Sequence, residues 1–240
     1  MQKFNLSSDS KLICVYTEKL DGNLSFNRGE KKSVIKNRQK IAHNLGIHLS
    51  QIYEGDQIHG NNIVIIGKEN KQNNHFPKTD GLITNLNEIF LMIKVGDCFP
   101  VVFFDSIKKV IAVVHVGWRG ATQKIFLEAL LLMVNKFNCR TENIKVGIGP
   151  GIRQCCFIHK DFIQKKLPEW KNYIVKTKKN ISVDLPAFVK DKLFLYGIKK
   201  KNIKDSKICT VCNNNFYSHY RSQRLGESEG RQAMIIGVRN

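Results

Sequence analysis

Three short apolar segments that follow closely on one another constrain the fold more than any other feature of this chain. They cover Phe90–Val95, Val101–Phe104 and Val110–Val114. Each is rich in β-branched or aromatic residues and is bounded by glycine, proline or charge, which is the pattern of a buried β-strand. Strands so close in sequence leave no room for crossover helices, so we predict a mixed α/β or α+β sandwich rather than a doubly wound parallel sheet.

The remaining periodic segments place helices among further strands. Apolar residues at helical spacing predict helices, and short β-branched runs predict strands. The predicted helices are Lys31–Leu45, Ala121–Phe137 and Pro186–Leu195, and the further strands are Ile63–Ile66, Lys145–Ile148 and Ala233–Val238. Because neither a linker nor a repeat divides the chain, we expect one domain over residues 1–240. These patterns leave the strand order open.

Length and cysteine usage indicate a protein of a reducing compartment. The seven cysteines are an odd number spread over 240 residues, a length that needs no disulfides for a stable core. The opening sequence MQKFNLSSDS lacks the basic and apolar regions of a secretory signal. No apolar run approaches the ~18 residues that a membrane span requires. We therefore expect a cytoplasmic protein without a membrane partner, and we expect a monomer.

The formal charge of +19 raises the question of a nucleic-acid partner. Most of the 39 Lys and Arg residues are lysines, and they are scattered along the whole chain. A nucleic-acid-binding surface requires basic residues clustered on one face or along one helix. Chains from AT-rich genomes reach this composition without any ligand, so the charge does not predict binding to nucleic acid.

Two histidines and one cysteine lie where predicted strands meet loops, each near a glycine or proline. They are His59, Cys98 and His115. Two imidazoles and one thiolate suit Zn²⁺, and three protein ligands leave the fourth tetrahedral position open, as in catalytic zinc sites. Asp97, beside the thiol, could support a ligand by hydrogen bonding. Taken singly, such residues are more often satisfied polar groups or small core hydrophobes, and their wide spacing does not decide the matter.

A glycine-rich turn follows His115. The sequence Gly117-Trp118-Arg119-Gly120 joins a predicted strand directly to a predicted helix. Free backbone N–H groups and a guanidinium at a helix N-terminus can bind a phosphate or a carboxylate. A tight turn with a surface arginine is an equally good interpretation.

Two further motifs indicate less. Cys209 and Cys212 form one CxxC pair, but a zinc ribbon requires a second pair at a suitable spacing. The adjacent Cys155 and Cys156 are a poor substitute, so we do not expect a structural zinc ion there. The glycines of GIGPGI, residues 147–152, lack the lysine of a phosphate loop and are interpreted as a turn.

Six motifs in a fixed order resemble the YfiH-type family of laccase-domain proteins, also known as polyphenol oxidases and now described as purine nucleoside phosphorylases. The resemblance covers roughly residues 25–238, and the joint occurrence of all six makes it highly specific. The motifs are QIHG (57–60), TDGLIT (79–84), GDCFPVVFFD (96–105), HVGWRG (115–120), GPGIRQCCF (149–157) and FYSHYR followed by EGRQA (216–233). Two of them depart from the family pattern, at Cys156-Phe157-Ile158 and at Ser218-His219-Tyr220-Arg221.

The resemblance implies a single-domain αββα sandwich with mixed sheets, of the YfiH-like type. It implies Zn²⁺ bound by His59, Cys98 and His115, with copper as the less favoured ion. It further implies phosphorolysis of adenosine, inosine and 5′-methylthioadenosine to the free base and ribose-1-phosphate, with adenosine deamination as a second activity. Purine nucleosides and phosphate are thus the expected partners.

The resemblance also implies roles for residues beyond the three ligands. Asp80 matches an acidic residue of the family, and we expect it to act in catalysis with the ligands. Arg38 matches a family arginine near the pocket. We expect Arg38 and Gln57 to contact substrate, and the turn at Arg119 would suit phosphate.

Three other functions are alternatives. A cysteine hydrolase would use Cys98 as nucleophile and His115 as base, acting on peptidoglycan precursors or another small amide or ester, and the structural kinship of the family to cysteine-dependent toxins supports it. Multi-copper oxidase chemistry requires paired histidines, whereas the seven histidines here include no His-x-His motif. A non-enzymatic basic module would bind polyanions in a salt-dependent manner.

Overall fold

Two six-stranded sheets lie face to face in the computed structural model, which describes all 240 residues. The strands are β1 Gln2–Lys3, β2 Leu12–Tyr16, β3 Ile52–Gly55, β4 Ile63–Ile66, β5 His75–Phe76, β6 Gly81–Thr84, β7 Phe90–Val95, β8 Phe99–Asp105, β9 Val110–Val116, β10 Ile144–Ile148, β11 Ile158–His159, β12 Ile174–Lys176, β13 Ile181–Val183, β14 Ile203–Asp205 and β15 Gln232–Val238. The helices are α1 Lys31–Leu45, α2 Trp118–Thr122, α3 Ile125–Phe137, α4 Leu185–Leu195 and α5 His219–Leu225. Short 3₁₀ helices cover Lys19–Asp21, Phe26–Arg28, Leu49–Gln51, Ile163–Lys166, Pro168–Tyr173 and Lys200–Asn202.

Both large sheets are mixed. The first sheet has the order β1-β2-β15-β7-β3-β5, and the second sheet has the order β14-β10-β8-β9-β6-β4. In the first sheet β3 runs parallel to β5 and β7, and in the second sheet β4 runs parallel to β6 and β10 to β14. All other pairs are antiparallel, including those of a small third sheet, β11-β13-β12.

Alternating side chains of the central strands build three apolar layers. Leu91 and Ile93 of β7 face Val102 and Phe104 of β8 in the core between the sheets. The alternate residues of β7 point to the outer face of the first sheet, where α1 covers them, and those of β8 point to the outer face of the second sheet, where α3 and α4 cover them. Burial on both faces explains why these strands read as continuous apolar runs. The predicted αββα sandwich with mixed sheets is therefore confirmed.

Several predicted elements match the structure, and one does not. The predicted helix Lys31–Leu45 and the predicted strands Ile63–Ile66 and Phe90–Val95 coincide with α1, β4 and β7. The predicted single helix Ala121–Phe137 is wrong, because the chain forms α2 and then α3. Lys124 adopts a left-handed conformation, with a φ of 61°, and breaks the helix between them.

The chain crosses from the first sheet to the second at two places that matter for the site. The β3–β4 connection contains His59, and the short β7–β8 connection contains Cys98. Both crossings reach the same end of the sandwich, where β9 of the second sheet ends just after His115. None of the helices combines the length and the apolar character that crossing a membrane requires.

Candidate active site

The three predicted metal ligands meet at this end of the sandwich. One ligand atom from each of His59, Cys98 and His115 lies within 4.8 Å of the other two. The imidazole centroids of the two histidines are 4.7 Å apart, with an interplanar angle of 67°. The predicted grouping of these side chains is confirmed. A thiolate between two imidazoles is a donor set that fits a borderline ion such as Zn²⁺.

Gly117 leaves room for this cluster. A Cβ atom at residue 117 would lie 2.8 Å from Cys98 Sγ and 3.2 Å from His59 Cδ2. Any larger residue would therefore push the thiol or the imidazole out of place. This close approach explains the first glycine of the turn that follows His115.

Asp80 organises two of the three ligands. Its carboxylate is fully buried, and Oδ1 lies 2.9 Å from Nδ1 of His115, which leaves Nε2 of that ring for the cluster. The same carboxylate accepts hydrogen bonds from the backbone N–H groups of Ile58, His59 and Gly60, at 2.8–3.0 Å. These bonds hold His59 at a φ of 63°, a conformation that costs ~1–3 kcal/mol for a residue other than glycine.

The charges of these groups depend on one another. Burial raises the pKa of Asp80, but hydrogen bonds from His115 and the 58–60 backbone outweigh burial and hold that pKa below its usual value. Burial also opposes ionisation of Cys98, but the charge on His115 and hydrogen bonds from both histidines lower the pKa of its thiol to about 6. Although burial disfavours the imidazolium, the Cys98 and Asp80 anions raise the pKa of His115 to about 9. Cys98 is thus held as a thiolate, the form that binds metals.

A polar cleft of about 280 Å³ opens beside the cluster. All three ligands line it, and so do four side chains that carry or can carry positive charge: Arg28, Lys94, His219 and Arg231. Three of these side chains share one carboxylate. Glu229 lies 3.0 Å from Arg28, 3.0 Å from Arg231 and 2.9 Å from His219 Nδ1. We call Arg28, His219, Arg231 and Glu229 the cationic wall. Its two guanidinium groups outnumber its one carboxylate, so it suits an anion.

Arg38 lies behind the cleft rather than on its surface. It is buried, its two terminal nitrogens lie 2.6 and 3.0 Å from the Glu54 carboxylate, and it also donates to the carbonyl oxygen of Leu24. Glu54 in turn binds Lys94, which lines the cleft. All nitrogens of Arg38 are engaged, so its visible role is to position Glu54 and through it Lys94.

Gln57 and Arg119 occupy different positions relative to the cleft. Gln57 lines it, and its amide exchanges two hydrogen bonds with the backbone of Lys94, at 2.7 and 2.9 Å. Arg119 is exposed, stacks 4.4 Å from the ring centroid of Trp118 and does not line the cleft. The structure therefore brings together His59, Cys98, His115, Asp80 and Gln57, and it leaves Arg38 and Arg119 outside.

Asp97 fixes the loop beside the thiol. Its carboxylate accepts hydrogen bonds from Thr210 Oγ1 at 2.7 Å, Ser218 Oγ at 3.2 Å and the Tyr220 N–H at 2.7 Å. Burial raises the pKa of Asp97 despite these bonds. Sequence reasoning did not identify the cationic wall, although His219 and Arg231 both belong to motifs of the family pattern. These motifs could have drawn attention to both residues, but only the fold shows that they meet at Glu229.

The family model described as "Multi-copper polyphenol oxidoreductase laccase" matches residues 16–239. The chain belongs to this laccase family. The chain is 26% identical over 246 residues to the human "Purine nucleoside phosphorylase LACC1". This match covers 100% of the chain and 52% of the relative. It thus spans about half the length of that relative.

Two bacterial-type relatives are covered more fully. "Purine nucleoside phosphorylase YlmD" of Bacillus subtilis is 28% identical over 218 residues, covering 86% of this chain and 77% of that protein. "Adenosine deaminase RL5" of an unknown prokaryotic organism is 26% identical over 210 residues, covering 82% and 79%. Among solved structures, YlmD of Geobacillus stearothermophilus superposes with a TM-score of 0.88 at 25% identity, covering 96% of this chain and 93% of that one. The laccase-family fold thus extends over nearly the whole chain.

Proposed function

We propose that this protein is a zinc-dependent purine nucleoside phosphorylase that also deaminates adenosine. One observation carries the proposal: a cluster of two imidazoles and a thiolate lines the same cleft as a cationic wall. The first feature suits a metal ion and the second suits the phosphate co-substrate. Relatives named purine nucleoside phosphorylase or adenosine deaminase support both activities. A cytoplasmic monomer with adenosine, inosine and 5′-methylthioadenosine as substrates belongs to the same proposal.

His59, Cys98 and His115 would hold the zinc ion. When bound there, Zn²⁺ would supply Lewis-acid catalysis to an oxygen atom of water or phosphate. Asp80 keeps His115 in the tautomer that presents Nε2 and holds the loop of His59 in place. Gly117 keeps the space around the thiol open. The chain thus contributes a preorganised ligand set that needs little rearrangement on metal binding.

The cationic wall would hold the phosphate dianion. Arg28, His219 and Arg231 can each donate a charge-assisted hydrogen bond, and they surround a single carboxylate. Lys94 also lines the cleft, where Glu54 binds its ammonium group and Gln57 holds its backbone. Phosphate bound there would lie in the same cleft as the metal ligands. Phosphorolysis requires such proximity, because an oxygen atom of phosphate attacks the nucleoside.

The decisive experiment follows the products of adenosine with and without phosphate. We expect adenine and ribose-1-phosphate only when phosphate is present, and inosine in its absence, both identified by chromatography. Purified zinc-loaded protein is compared with the Cys98→Ala variant, which loses a ligand of the cluster. If neither product forms with the loaded protein, the proposal is wrong.

A cysteine hydrolase is the second candidate, and one geometric observation favours it. Cys98, His115 and Asp80 form a continuous series of thiol, imidazole and carboxylate, the arrangement of a nucleophile, its base and the group that orients the base. The small amides and esters of peptidoglycan precursors are the substrates to try. Alkylation of Cys98 that abolishes activity without release of metal favours the hydrolase, whereas one tightly held zinc ion on the three ligands favours the phosphorylase.

A further inference from the structure

Four further cysteines form a second group, separate from His59, Cys98 and His115. They belong to two segments, the turn after β10 that contains Cys155 and Cys156 and the CxxC turn of Cys209 and Cys212. From the sequence we did not expect these pairs to cooperate. All four sulfur atoms nevertheless lie within 4.8 Å of one another, and all four thiols are free. We call this set the four-cysteine cluster.

The backbone holds the two segments in register. Gly151 forms a parallel bridge with Cys209, in which the Gly151 N–H donates to the Ile208 carbonyl at 3.3 Å and the Thr210 N–H donates to the Gly151 carbonyl at 3.2 Å. Arg153 adds a two-point ion pair with Asp205, at 3.0 and 2.5 Å. The thiols are thus brought together by ordered structure on both sides and not by a chance contact of flexible loops.

Two of the distances between the sulfur atoms are close to those around a tetrahedral ion, one of them somewhat shorter. Cys156 Sγ lies 3.3 Å from Cys212 Sγ, and Cys155 Sγ lies 3.7 Å from the same atom. A zinc ion with Zn–S bonds of ~2.3 Å places its sulfur ligands about 3.8 Å apart. Since all four sulfur atoms lie within 4.8 Å of one another, these distances suit ligation of one four-coordinate ion.

A backbone N–H group is directed at one of the sulfur atoms. The Arg153 N–H points at Cys209 Sγ from 3.5 Å. Such a donor stabilises a thiolate over a thiol. This contact also joins the two cysteine-bearing segments, because Arg153 belongs to the first and Cys209 to the second.

We propose that Cys155, Cys156, Cys209 and Cys212 bind one structural Zn²⁺ ion, separate from the ion of the cleft. Four thiolates complete the tetrahedron and leave no position for substrate, so this site acts on structure and not in catalysis. The ion would fasten the 149–157 segment to the 208–213 segment. Because the Thr210 hydroxyl donates to Asp97, next to Cys98, the four-cysteine cluster also supports one wall of the cleft.

Metal content per chain tests the proposal independently of the enzymatic function. Proteins are purified under reducing conditions with zinc, desalted, and measured by inductively coupled plasma mass spectrometry. We expect two zinc ions in the unaltered chain, one in Cys98→Ala, one in the Cys209→Ser/Cys212→Ser variant, and none when these changes are combined. Cys14→Ala, which removes a thiol in the core between the sheets, is the matched control and should keep two.

Thiol reactivity of the unaltered protein provides a second readout that does not depend on a variant folding. Alkylation followed by peptide mass spectrometry should label the four cysteines only after a chelator has removed the zinc. A Cys98→Ala protein that retains no zinc would overturn the proposal. So would a Cys156–Cys212 disulfide in the metal-free protein after purification under reducing conditions, or ready labelling of the four thiols before chelation. If the protein with two bound zinc ions formed no product from adenosine, the proposed function would be wrong, but the structural zinc site would still be supported.

Discussion

Asp80 Oδ1 lies 2.9 Å from Nδ1 of His115, and this contact determines which nitrogen of the imidazole faces Cys98. The same carboxylate binds three consecutive backbone N–H groups around His59. One buried anion thus orients a ligand in the second sheet and a ligand in the connection between the sheets. The geometry of the metal site depends on Asp80 as much as on the ligands themselves.

Replacing Asp80 by asparagine should weaken metal binding about 10- to 100-fold. The amide presents one oxygen and two donors, so it cannot accept hydrogen bonds from His115 and from the 58–60 backbone together. A competition titration with a zinc chelator measures the affinity. Asp161→Asn, at an exposed carboxylate, is the control and should leave the affinity unchanged. An Asp80→Asn protein with unaltered zinc affinity would show that the carboxylate does not position the ligands.

Gly117→Ala should disrupt the cluster while the fold persists. The added Cβ would lie 2.8 Å from Cys98 Sγ, a contact that forces the thiol away from the two imidazoles. We expect loss of the cleft zinc and at least a 100-fold fall in kcat/KM, because misplacement of a reacting group by ~1 Å costs about that much. Circular dichroism checks the fold. Gly67→Ala, whose Cβ would meet only the movable end of Glu69, is the matched control.

Removal of the cleft metal should abolish both proposed activities. Cys98→Ala deletes the only thiolate of the three-ligand cluster, and the two histidines that remain bind zinc too weakly to retain it during desalting. Phosphorolysis and deamination are assayed alongside metal content. Full activity in metal-free Cys98→Ala protein would contradict the zinc mechanism and the cysteine hydrolase alike.

Arg231→Ala should raise the KM for phosphate about 10- to 100-fold, since a charge-assisted hydrogen bond contributes ~1.5–3 kcal/mol. The KM for the nucleoside should change much less. The turn at Arg119, predicted from the sequence to bind phosphate, provides the competing assignment, and Arg119→Ala is measured in parallel. Arg140→Ala, at an exposed arginine far along the chain, controls for net charge. A larger effect at residue 119 than at residue 231 would move the phosphate site to that turn.

Acid should destabilise the protein through Glu54. Although burial opposes its ionisation, Lys94 and Arg38 lower the pKa of this carboxyl from 4.5 to about 2. A group whose pKa is lower in the folded state stabilises the fold above its unfolded pKa. That contribution, ~3 kcal/mol, is present above about pH 4.5 and is lost as the pH falls toward 2. The free energy of unfolding from urea titrations should show this slope.

The Glu54→Gln variant isolates the contribution of that carboxyl. It leaves two cations without their buried partner, so it should be markedly less stable than the unaltered protein at pH 6. The difference in free energy between the two proteins should shrink as the pH falls from 4.5 toward 2. Glu69→Gln, at an exposed position, should track the unaltered protein throughout. A constant difference across this range would exclude Glu54 as the source.

The sequence predicted the elements whose side chains repeat regularly. β7 and α1 were predicted with correct bounds, because apolar residues mark their buried faces at the expected period. The break at Lys124 carries no such signal, since lysine has no preference for the left-handed conformation that tertiary packing imposes there. β6 was not predicted, because only two apolar residues stand between its glycine and its threonine, even though all four residues are buried.

The site was predictable where chemistry alone limits the choice of residues. His59, Cys98 and His115 stand out because few side chains bind zinc and because each lies where a predicted strand meets a loop. The cationic wall was not predicted, although three of its residues lie in the recognised motifs, because Arg28 and Glu229 are separated by 201 positions and only the fold brings them together. The same holds for the four-cysteine cluster, whose two segments are brought together by tertiary contacts such as the bridge between Gly151 and Cys209.

His59 and Cys98 both sit where the chain passes from one sheet to the other. An ion bound there would link the two sheets, so the distance between the sheets and the distances between the ligand atoms would vary together. Core substitutions far from the cleft that shift one sheet slightly against the other would therefore weaken metal binding before they unfold the protein. Catalysis in such a fold should fail at lower temperature than the fold itself.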